Sequence, residues 1–333
     1  MNNANDLVQK LAGLRVLVVG DMFLDRYLQG RATRLSREAP VPVLEQTASF
    51  TVAGGACNPA RNVAALGGQV VMLGVIGEDA AGEELVQLMA DAGIDTSAVV
   101  VDPTRPTTTK TRLVAESTLR VPQHLARIDN LDRRPLERDV EQALLDGLEQ
   151  QAAGCDAILV SHYVTGVVTA AVADRVRQLA RQHGAAATVD AQADLGRFAG
   201  FDLVKCNRAE AEGELGLALS SDADFERALV RLMPRLGVDS LVITRGGDGI
   251  SALQRGLAVV HSPALRTSDI YDVVGAGDTV IAVLTLAMAA RLSLASSLYL
   301  ANAAAGLVVR KLGNAVVTGP ELAAAVGGSS DDR

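Results

Sequence analysis

The sequence predicts an α/β fold in which helices cover both faces of a mostly parallel central sheet. Short β-branched runs alternate along the chain with longer helical patterns, and repeated strand–helix units of this kind build parallel sheets. The composition agrees with this fold, since 49% of the residues are hydrophobic and only 3% are aromatic. A core rich in Ala, Val and Leu suits helices packed against a buried sheet.

The first predicted element is the strand Arg15–Gly20, whose sequence RVLVVG is β-branched and ends in glycine. Apolar runs and helical periodicity predict the elements that follow it. Strands are expected at 70–75, 157–160, 186–190, 203–205 and 240–244, and helices at 60–66, 83–92, 169–183, 225–236 and, as an apolar pair, within 279–309.

Two segments depart from this rhythm. Residues 41–52 and 107–129 alternate in polarity, are rich in Thr and Val and lack a helical stripe, so they are predicted to be antiparallel strands inserted into the strand–helix series. We expect them to form a small β lid over the site, with bounds of approximately 35–52 and 107–129. The whole chain, 1–333, is predicted to be a single domain that carries these two insertions.

The charge and the cysteines narrow the class of protein. A net charge of −8 disfavours a general nucleic-acid binder, which would carry a basic face. Cys57, Cys155 and Cys206 are far apart and form no C-x-x-C pair, so they are interpreted as reduced thiols. The N-terminus lacks a secretory pattern, and the longest uncharged apolar stretch, 279–290, is too short to span a bilayer. The chain is therefore predicted to be cytoplasmic, without a nucleic-acid or membrane partner.

The sequence lacks the motifs of three common enzyme classes. No G-x-G-x-x-G follows the first strand, as a dinucleotide-dependent oxidoreductase would require, and the Walker pattern G-x-x-x-x-G-K-[ST] is absent. A metal hydrolase would need clustered ligands, whereas the histidines are scattered at positions 124, 162, 183 and 261.

The strongest chemical motif is D-V-V-G-A-G-D-T at residues 272–279, directly before an apolar helix. Glycines on both sides of Ala276 let backbone amides point at one spot, and the helix N-terminus adds partial positive charge there. Such a turn would hold a transferring phosphoryl group, with the Asp278 carboxylate beside it to accept a proton from an attacking hydroxyl. On this segment alone, a glycine-rich turn with Asp278 as an ordinary helix N-cap explains the pattern equally well.

Two further motifs precede it in the chain. The paired glycines Gly54 and Gly55 would let the chain pass close to a ligand, and Asn58 offers a donor and an acceptor to sugar hydroxyls. Asp25 follows the first strand, where ligands of open α/β sheets bind, and could chelate vicinal hydroxyls. Taken singly, the glycine pair with Asn58 is better explained as a strand-to-helix turn, and Asp25 is better explained as a cap.

Together these motifs resemble the ribokinase-like (PfkB) carbohydrate kinase family over nearly the whole chain. The first family signature is matched by Gly54, Gly55, Asn58, Gly67 and Gly77, and the second by Asp272 with Gly275–Asp278. The family's Asn-x-x-Glu is matched by Asn207 and Glu210, and its nucleotide loop by T-R-G-G-D-G at 244–249.

The resemblance implies an ATP- and Mg²⁺-dependent kinase with a ribokinase-like fold, and it implies a role for each matched residue. Asp278 would be the general base, and the anion hole would be formed by the amides of Gly275, Ala276 and Gly277. Asn207 and Glu210 would order Mg²⁺ and the ATP phosphates through water, and the nucleotide would be lined by Thr244, Gly247, Gly249 and Asn302, the last near the adenine. The sugar would be held by Asp25, Gly55 and Asn58. Lids of this family often pair across a homodimer, so a homodimer through the β lid is expected.

Some segments are more similar to one branch of the family, the D-glycero-β-D-manno-heptose 7-phosphate kinases, which act on the 1-hydroxyl. These segments are 18–27, 37–43, 271–281, 301–306 and 311–313. Many heptose kinases are fused to a nucleotidyltransferase domain, and only the kinase activity is expected of this chain.

The middle of the chain departs from the heptose kinase pattern. Gln192 stands where these enzymes usually have the Lys of Asp-Pro-Lys, and the loop after Tyr163 lacks their second lysine. The cations that could replace them at the sugar's phosphate are Lys205 and, on the lid, Lys110, Arg112 and Arg127. A kinase for a different sugar or nucleoside, and a non-catalytic sugar-binding or regulatory protein, remain as alternatives. The Asp278 carboxylate argues against the second, because binding alone does not require a base.

Overall fold

The structure, a computed structural model, describes residues 4–116, 123–264, 273–311 and 313–327. Within these ranges the strands are β1 Arg15–Gly20, β2 Met22–Leu35, β3 Pro42–Gly55, β4 Gln69–Leu73, β5 Val75–Gly77, β6 Val100–Asp102, β7 Thr109–Glu116, β8 Gln123–Asn130, β9 Ala157–His162, β10 Ala186–Ala191, β11 Leu203–Asn207, β12 Ser240–Thr244, β13 Ile250–Gln254 and β14 Val260–Ser262. The helices are α1 Ala4–Gln9, α2 Cys57–Ala65, α3 Ala80–Asp91, α4 Arg138–Ala152, α5 Ala170–His183, α6 Arg208–Leu215, α7 Asp222–Leu236, α8 Ala276–Ala289, α9 Leu294–Val308 and α10 Gly319–Gly327.

The central sheet has eight strands in the order β14-β13-β12-β11-β10-β9-β1-β4. Its strands are parallel from β4 to β12, and β13 and β14 extend it as antiparallel neighbours. The predicted mostly parallel sheet is therefore confirmed. Because parallel strands end at the same edge, the loops that follow β1, β9, β10 and β11 meet there, where ligands of open α/β sheets bind.

Each face of this sheet carries its own hydrophobic layer. Val16 and Val18 of β1 pack on one side with α1, α2, α3, α8, α9 and α10, while Leu17 and Val19 pack on the other with α4, α5 and α7. Alternate residues of a strand point to opposite faces, which explains the division. The prediction that helices cover both faces is confirmed.

The lid is a second sheet of four strands in the order β3-β2-β7-β8. Its strand β2 was not predicted, because β2 is buried from Met22 to Asp25 and so lacks a simple alternation. The strands of the two predicted segments each have an antiparallel neighbour, β3 with β2 and β7 with β8, whereas the unpredicted β2 pairs with β7 in parallel. The chain passes through β4, β5, α3 and β6 between β3 and β7, and it re-enters the lid in the direction of β2. Residues 117–122 of the predicted lid segment lie outside the described residues.

The three cysteines are buried and free. Burial raises the pKa of Cys57 to about 12, and burial also raises the pKa of Cys155 and Cys206. These thiols are protonated at neutral pH and therefore poor nucleophiles. In the described ranges, no helix combines the length and the apolar character needed to cross a membrane.

Candidate active site

The predicted motif residues meet between the central sheet and the lid. The site is bordered by the N-terminus of α8, the start of α2 and the ends of β9, β10 and β11. Asp272 and Tyr271 lie outside the described residues, as does Leu312. The remaining residues form three adjoining parts: a carboxylate centre, a nucleotide-sized cavity and a polar cluster beneath the lid.

Asp278 is the buried carboxylate at the centre. It lies in the first turn of α8 and accepts hydrogen bonds from Asn58 Nδ2 and from the Tyr163 hydroxyl, both at 2.8 Å. Burial raises the pKa of Asp278 to about 6, and the charge of Asp190 adds to this, whereas the two hydrogen bonds and Lys205 oppose it. A carboxylate with a pKa near the working pH is suited to general base catalysis.

The turn before Asp278 has the geometry of an anion-binding helix N-terminus. Gly275 is the N-cap of α8 and has φ +81°, and a Cβ there would lie 2.7 Å from Asn58 Nδ2. A Cβ on Gly277 would lie 2.9 Å from Lys205 Nζ. The Ala276 amide makes a long hydrogen bond of 3.4 Å, to the Val273 carbonyl. First-turn amides lack intrahelical acceptors, so an anion held here would meet amides together with a lysine ammonium.

Lys205 and Asp190 form a buried ion pair beside this turn. Lys205 Nζ lies 2.9 and 2.7 Å from the two Asp190 carboxylate oxygens. Burial disfavours the ammonium, but Asp190, Glu210 and Asp278 outweigh burial and raise the pKa of Lys205. The Lys205 ammonium borders Gly277 and lines the large cavity described next, and its predicted role at the sugar's phosphate stays a prediction.

A cavity of about 940 Å³ adjoins the turn on this side. It is lined by five of the residues predicted to bind the nucleotide, together with two anion-hole residues: Asn207, Thr244, Gly247, Gly249, Asn302, Ala276 and Gly277. Gly249 has φ +94°, and a Cβ there would overlap the Ser262 carbonyl. Asn302 donates to Ser262 Oγ at 2.6 Å and so connects α9 to the end of β14. The volume suits a ligand of nucleotide size.

Glu210 is held by Asn207 at the start of α6. Its two carboxylate oxygens accept from the Asn207 backbone amide at 2.5 Å and from Asn207 Nδ2 at 2.7 Å. The Glu210 amide donates in return to Asn207 Oδ1 at 2.9 Å, so the two residues form a capping box. Burial raises the pKa of Glu210 to about 7.

The described residues contain no group of three or more His, Cys, Asp or Glu side chains placed to hold a metal ion. Mg²⁺ is usually bound through one or two carboxylates, several waters and substrate phosphates. Glu210 beside Asp190 and Lys205 fits that sparse mode, and the predicted water-mediated role of Asn207 and Glu210 stays a prediction.

Asp25 is the centre of the polar cluster beneath the lid. This buried residue lies in β2 and accepts from Arg112 Nη1 and Asn314 Nδ2, both at 2.7 Å. A Cβ on Gly54 would overlap the Asp25 carboxylate, so the first glycine of the pair allows the close approach. Gly55 has φ +59°, and a Cβ there would overlap the Asp21 carbonyl. The left-handed conformation of Gly55 therefore allows the chain to turn from β3 into α2.

The other predicted lid cations are arranged differently. Lys110 Nζ lies 3.8 Å from the centroid of the Phe23 ring, and burial lowers the pKa of Lys110, although Asp25 opposes this. Arg127, on the exposed strand β8, pairs with Asp129 at 2.8 Å. Lys110 and Arg112 thus lie near Asp25, whereas Arg127 lies one strand further out.

Three residues of the site were not predicted as site residues. Tyr163 is presented to Asp278 by the loop after β9, and Asp21 fixes this loop by accepting from the Tyr163 amide and the Thr165 hydroxyl, both at 2.6 Å. A polar residue at the end of a predicted strand was the available signal for Tyr163. Asp190 carried the same signal at the end of β10. Asn314 had none, since it follows α9 in an irregular segment.

Comparisons with known proteins agree with this geometry. The profile described as pfkB family carbohydrate kinase matches residues 14–318. Two similar proteins are each named "Bifunctional protein HldE": one from Trichlorobacter lovleyi is 40% identical over 96% of this chain, and one from Caulobacter vibrioides is 42% identical over 96%. The chain spans 64% of the length of each.

Solved structures share the fold. Arabidopsis thaliana ribokinase, described as complexed with ribose and ATP, has a TM-score of 0.73 at 19% identity and covers 95% of this chain and 99% of its own. Escherichia coli phosphofructokinase-2, in complex with potassium, has a TM-score of 0.78 at 19% identity, and the match covers 96% of this chain and 99% of the phosphofructokinase chain. The predicted ribokinase-like fold is confirmed. The profile match over residues 14–318 shows that the chain belongs to the pfkB family of carbohydrate kinases.

Proposed function

We propose that this chain is an ATP- and Mg²⁺-dependent kinase that phosphorylates the 1-hydroxyl of D-glycero-β-D-manno-heptose 7-phosphate. The observation that carries the kinase assignment is the buried Asp278, held by Asn58 and Tyr163 where the nucleotide-sized cavity meets the cluster beneath the lid. The heptose assignment is supported by the resemblance of residues 18–27, 37–43 and 271–281 to heptose 7-phosphate kinases. The relatives named "Bifunctional protein HldE" match this chain at 40% and 42% identity.

The proposed reaction uses Asp278 as the base. Its carboxylate accepts the proton of the sugar hydroxyl as the hydroxyl oxygen attacks the γ-phosphorus of ATP. The bond between that phosphorus and the β–γ bridging oxygen breaks, and ADP leaves. Amides of Gly275–Gly277 and the Lys205 ammonium stabilise the negative charge of the transferring phosphoryl group.

The nucleotide side is assigned by its lining. Thr244, Gly247, Gly249 and Asn302 enclose the nucleoside part of ATP in the large cavity. Mg²⁺, when bound, neutralises charge on the ATP phosphates. Asn207 and Glu210 at the start of α6 would hold its waters.

The acceptor sugar enters from the lid side. Asp25 binds its hydroxyls, with Arg112 and Asn314 orienting the carboxylate. Asn58 donates to Asp278 at 2.8 Å, so it orients the base and is assigned to the reacting end of the sugar.

A kinase for another sugar or nucleoside is the second candidate. The observation that favours it is Gln192, which stands where the resembling heptose kinases usually carry a lysine. Loss of that cation would suit an acceptor without a phosphate.

The test is ADP release with Mg²⁺-ATP across a panel of acceptors, with the Asp278→Ala protein as the blank. The panel holds the heptose 7-phosphate, ribose, fructose, fructose 6-phosphate, tagatose 6-phosphate and nucleosides. Turnover on the heptose phosphate alone supports the full proposal, and turnover on an unphosphorylated acceptor supports the second candidate. Absence of any Asp278-dependent turnover, with ATP still bound, would favour a binding or regulatory protein.

The proposal includes a homodimer through the lid and a cytoplasmic location, where ATP is available. Exposed apolar side chains on the lid strands and their connection support the dimer, because exposed apolar patches mark interaction surfaces. These side chains are Leu35, Val41, Phe50, Leu125 and Ile128.

A further inference from the structure

A second cavity, of about 310 Å³, lies beneath the lid and outside the nucleotide site. Lid strands β2, β3, β7 and β8 form its roof, and α2 and the segment after α9 form its base. Its polar lining includes Gln29, Arg61, His124 and Asn314, and it also contains Tyr27, whose ring stacks on Phe50 at 4.8 Å. Its volume is at the lower end of the range of small-molecule sites.

Arg61 is a half-buried cation in this cavity without a carboxylate partner among the described residues. Its guanidinium Nη1 donates to the Asn314 carbonyl at 3.1 Å, and burial lowers the pKa of Arg61. Two more deeply buried arginines, Arg105 and Arg112, pair with buried aspartates at 2.7 Å. A buried charge without a counter-charge is unfavourable. An anion is therefore expected to complete the environment of Arg61.

The cavity and the catalytic centre are linked through α2 and Asn314. Arg61 lies one turn after Asn58 on α2, so the two side chains emerge on the same side of the helix. Asn314 connects the two sites, because its side chain binds Asp25 while its carbonyl binds Arg61. An acceptor whose hydroxyl reaches Asp278 and whose middle contacts Asp25 would extend its far end toward Arg61.

We propose that this cavity is the subsite for the terminal phosphate of the acceptor sugar, with Arg61 as its principal ligand. The planar guanidinium fork matches a phosphate in geometry and charge. Gln29 and His124 add hydrogen-bonding groups from the lid. The inference rests on the proposed kinase function and deepens it, because it identifies the acceptor as a sugar phosphate and supplies a cation from α2 in place of the mid-chain lysines.

The experiment compares Arg61→Gln and Arg61→Lys with the unchanged protein on two acceptors, D-glycero-D-manno-heptose 7-phosphate and the unphosphorylated heptose. Arg61→Gln should raise KM for the phosphate about 10- to 100-fold, the usual effect of losing a charge-assisted hydrogen bond, with a smaller change in kcat. KM for the unphosphorylated heptose should stay within about 2-fold, since no phosphate contact is lost. KM of Arg61→Lys for the heptose phosphate should lie between the values of Arg61→Gln and the unchanged protein, because lysine keeps the positive charge but lacks the planar guanidinium fork. The control Arg231→Gln removes an exposed helical arginine of α7.

Two outcomes would overturn the subsite. Equal losses on both acceptors would mean that Arg61 acts only by positioning Asn314 and Asp25. A large fall in the melting temperature of ligand-free Arg61→Gln would likewise indicate a structural arginine, since removal of an unpaired buried charge should not destabilise the fold.

A separate measurement distinguishes failure of the subsite from failure of the kinase assignment. Binding of the heptose 7-phosphate is measured by calorimetry without ATP. Weaker binding to Arg61→Gln supports the subsite even if the unchanged protein shows no turnover, whereas equal binding, or none to the unchanged protein, contradicts it.

Discussion

At the scale of single residues, Asp278 carries the most specific prediction. Asp278→Asn removes the proton acceptor but keeps the shape of the side chain, so kcat should fall about 100- to 10,000-fold, the usual contribution of a general base. ATP binding should remain, because the residues that line the large cavity are unchanged. ADP release and nucleotide titration check both parts. Near-full activity in the Asn variant would show that Asp278 is not the base.

The hydrogen bond from the Tyr163 hydroxyl to Asp278 leads to a prediction about the pH dependence of kcat/KM. This bond favours the charged form of the carboxylate and lowers the pKa of Asp278 against the effect of burial. The base works as the carboxylate, so kcat/KM should rise with pH through about 6. Tyr163→Phe raises this pKa, and the acidic limb should move upward by about one pH unit.

The measurement is the pH–rate profile of both proteins. Arg231→Gln serves again as the control and should keep the original limb. A limb that stays in place or moves to lower pH in Tyr163→Phe would contradict the proposed role of this hydrogen bond.

Variants of the Lys205–Asp190 ion pair can distinguish an effect on stability from an effect on catalysis. Lys205→Met leaves Asp190 buried without its partner, which should lower the free energy of unfolding by about 3–5 kcal/mol. The double variant Lys205→Met/Asp190→Asn should recover most of that stability but not kcat, because the cation beside Gly277 is still missing. Urea unfolding and ADP release measure the two effects. Recovery of turnover in the double variant would show that Lys205 acts only through Asp190.

The sequence points to candidate site residues where the motif is contiguous in the chain, and it gives little or no signal for residues that only the fold brings together. Asp278 and its glycines stand in one run. The hydrogen bonds of Tyr163 to Asp278 and of Asn314 to Asp25 join residues 115 and 289 positions apart. Such pairings depend on the closed fold, and neither local pattern nor propensity contains them.

At the scale of elements, the start of α8 depends on one glycine. Gly275→Ala forces a side chain into a left-handed conformation, at about 1–2 kcal/mol, and places its Cβ against Asn58 Nδ2. We expect a loss of stability together with a clear fall in kcat, because Asn58 must move away from Asp278. Gly237→Ala is the matched control, since Gly237 has φ +61° and open space around its Cβ position.

Thermal melting and ADP release distinguish the two effects. The control should lose stability alone, with kcat unchanged. Equal kcat in both variants would show that the Asn58 contact does not support the base.

Most parallel strands could be predicted from sequence, because strands buried on both faces are nearly continuous apolar runs. Strand β2 could not, since Asp25 and Arg26 interrupt its apolar start and its far end is exposed. Helix α4 was also missed. Its apolar residues are sparse among many charged and amide side chains, although Leu144, Leu148 and Ala152 are buried.

At the scale of the whole molecule, the lid and the central sheet differ in exposure. Strand β8 is exposed along its whole length, whereas β9 is buried along its whole length. If the lid pairs across a homodimer, Ile128→Glu should weaken association, because a charge would replace an exposed apolar side chain of the proposed interface. Sedimentation over a range of concentrations measures this.

Leu257→Glu is the control. It places the same change on an exposed apolar residue far from the lid, in the turn after β13. A monomer at all concentrations in the unchanged protein would contradict the dimer.

The burial of Cys57, Cys155 and Cys206 has a practical consequence for following lid movement. Because the sequence contains three cysteines and all three are enclosed and protonated, maleimide dyes should not label the native fold. A pair of new surface cysteines, one on β8 and one on α7, would therefore accept fluorophores without a cysteine-free background. Energy transfer between the two dyes would then report how the lid responds to nucleotide and to sugar in the otherwise unaltered protein.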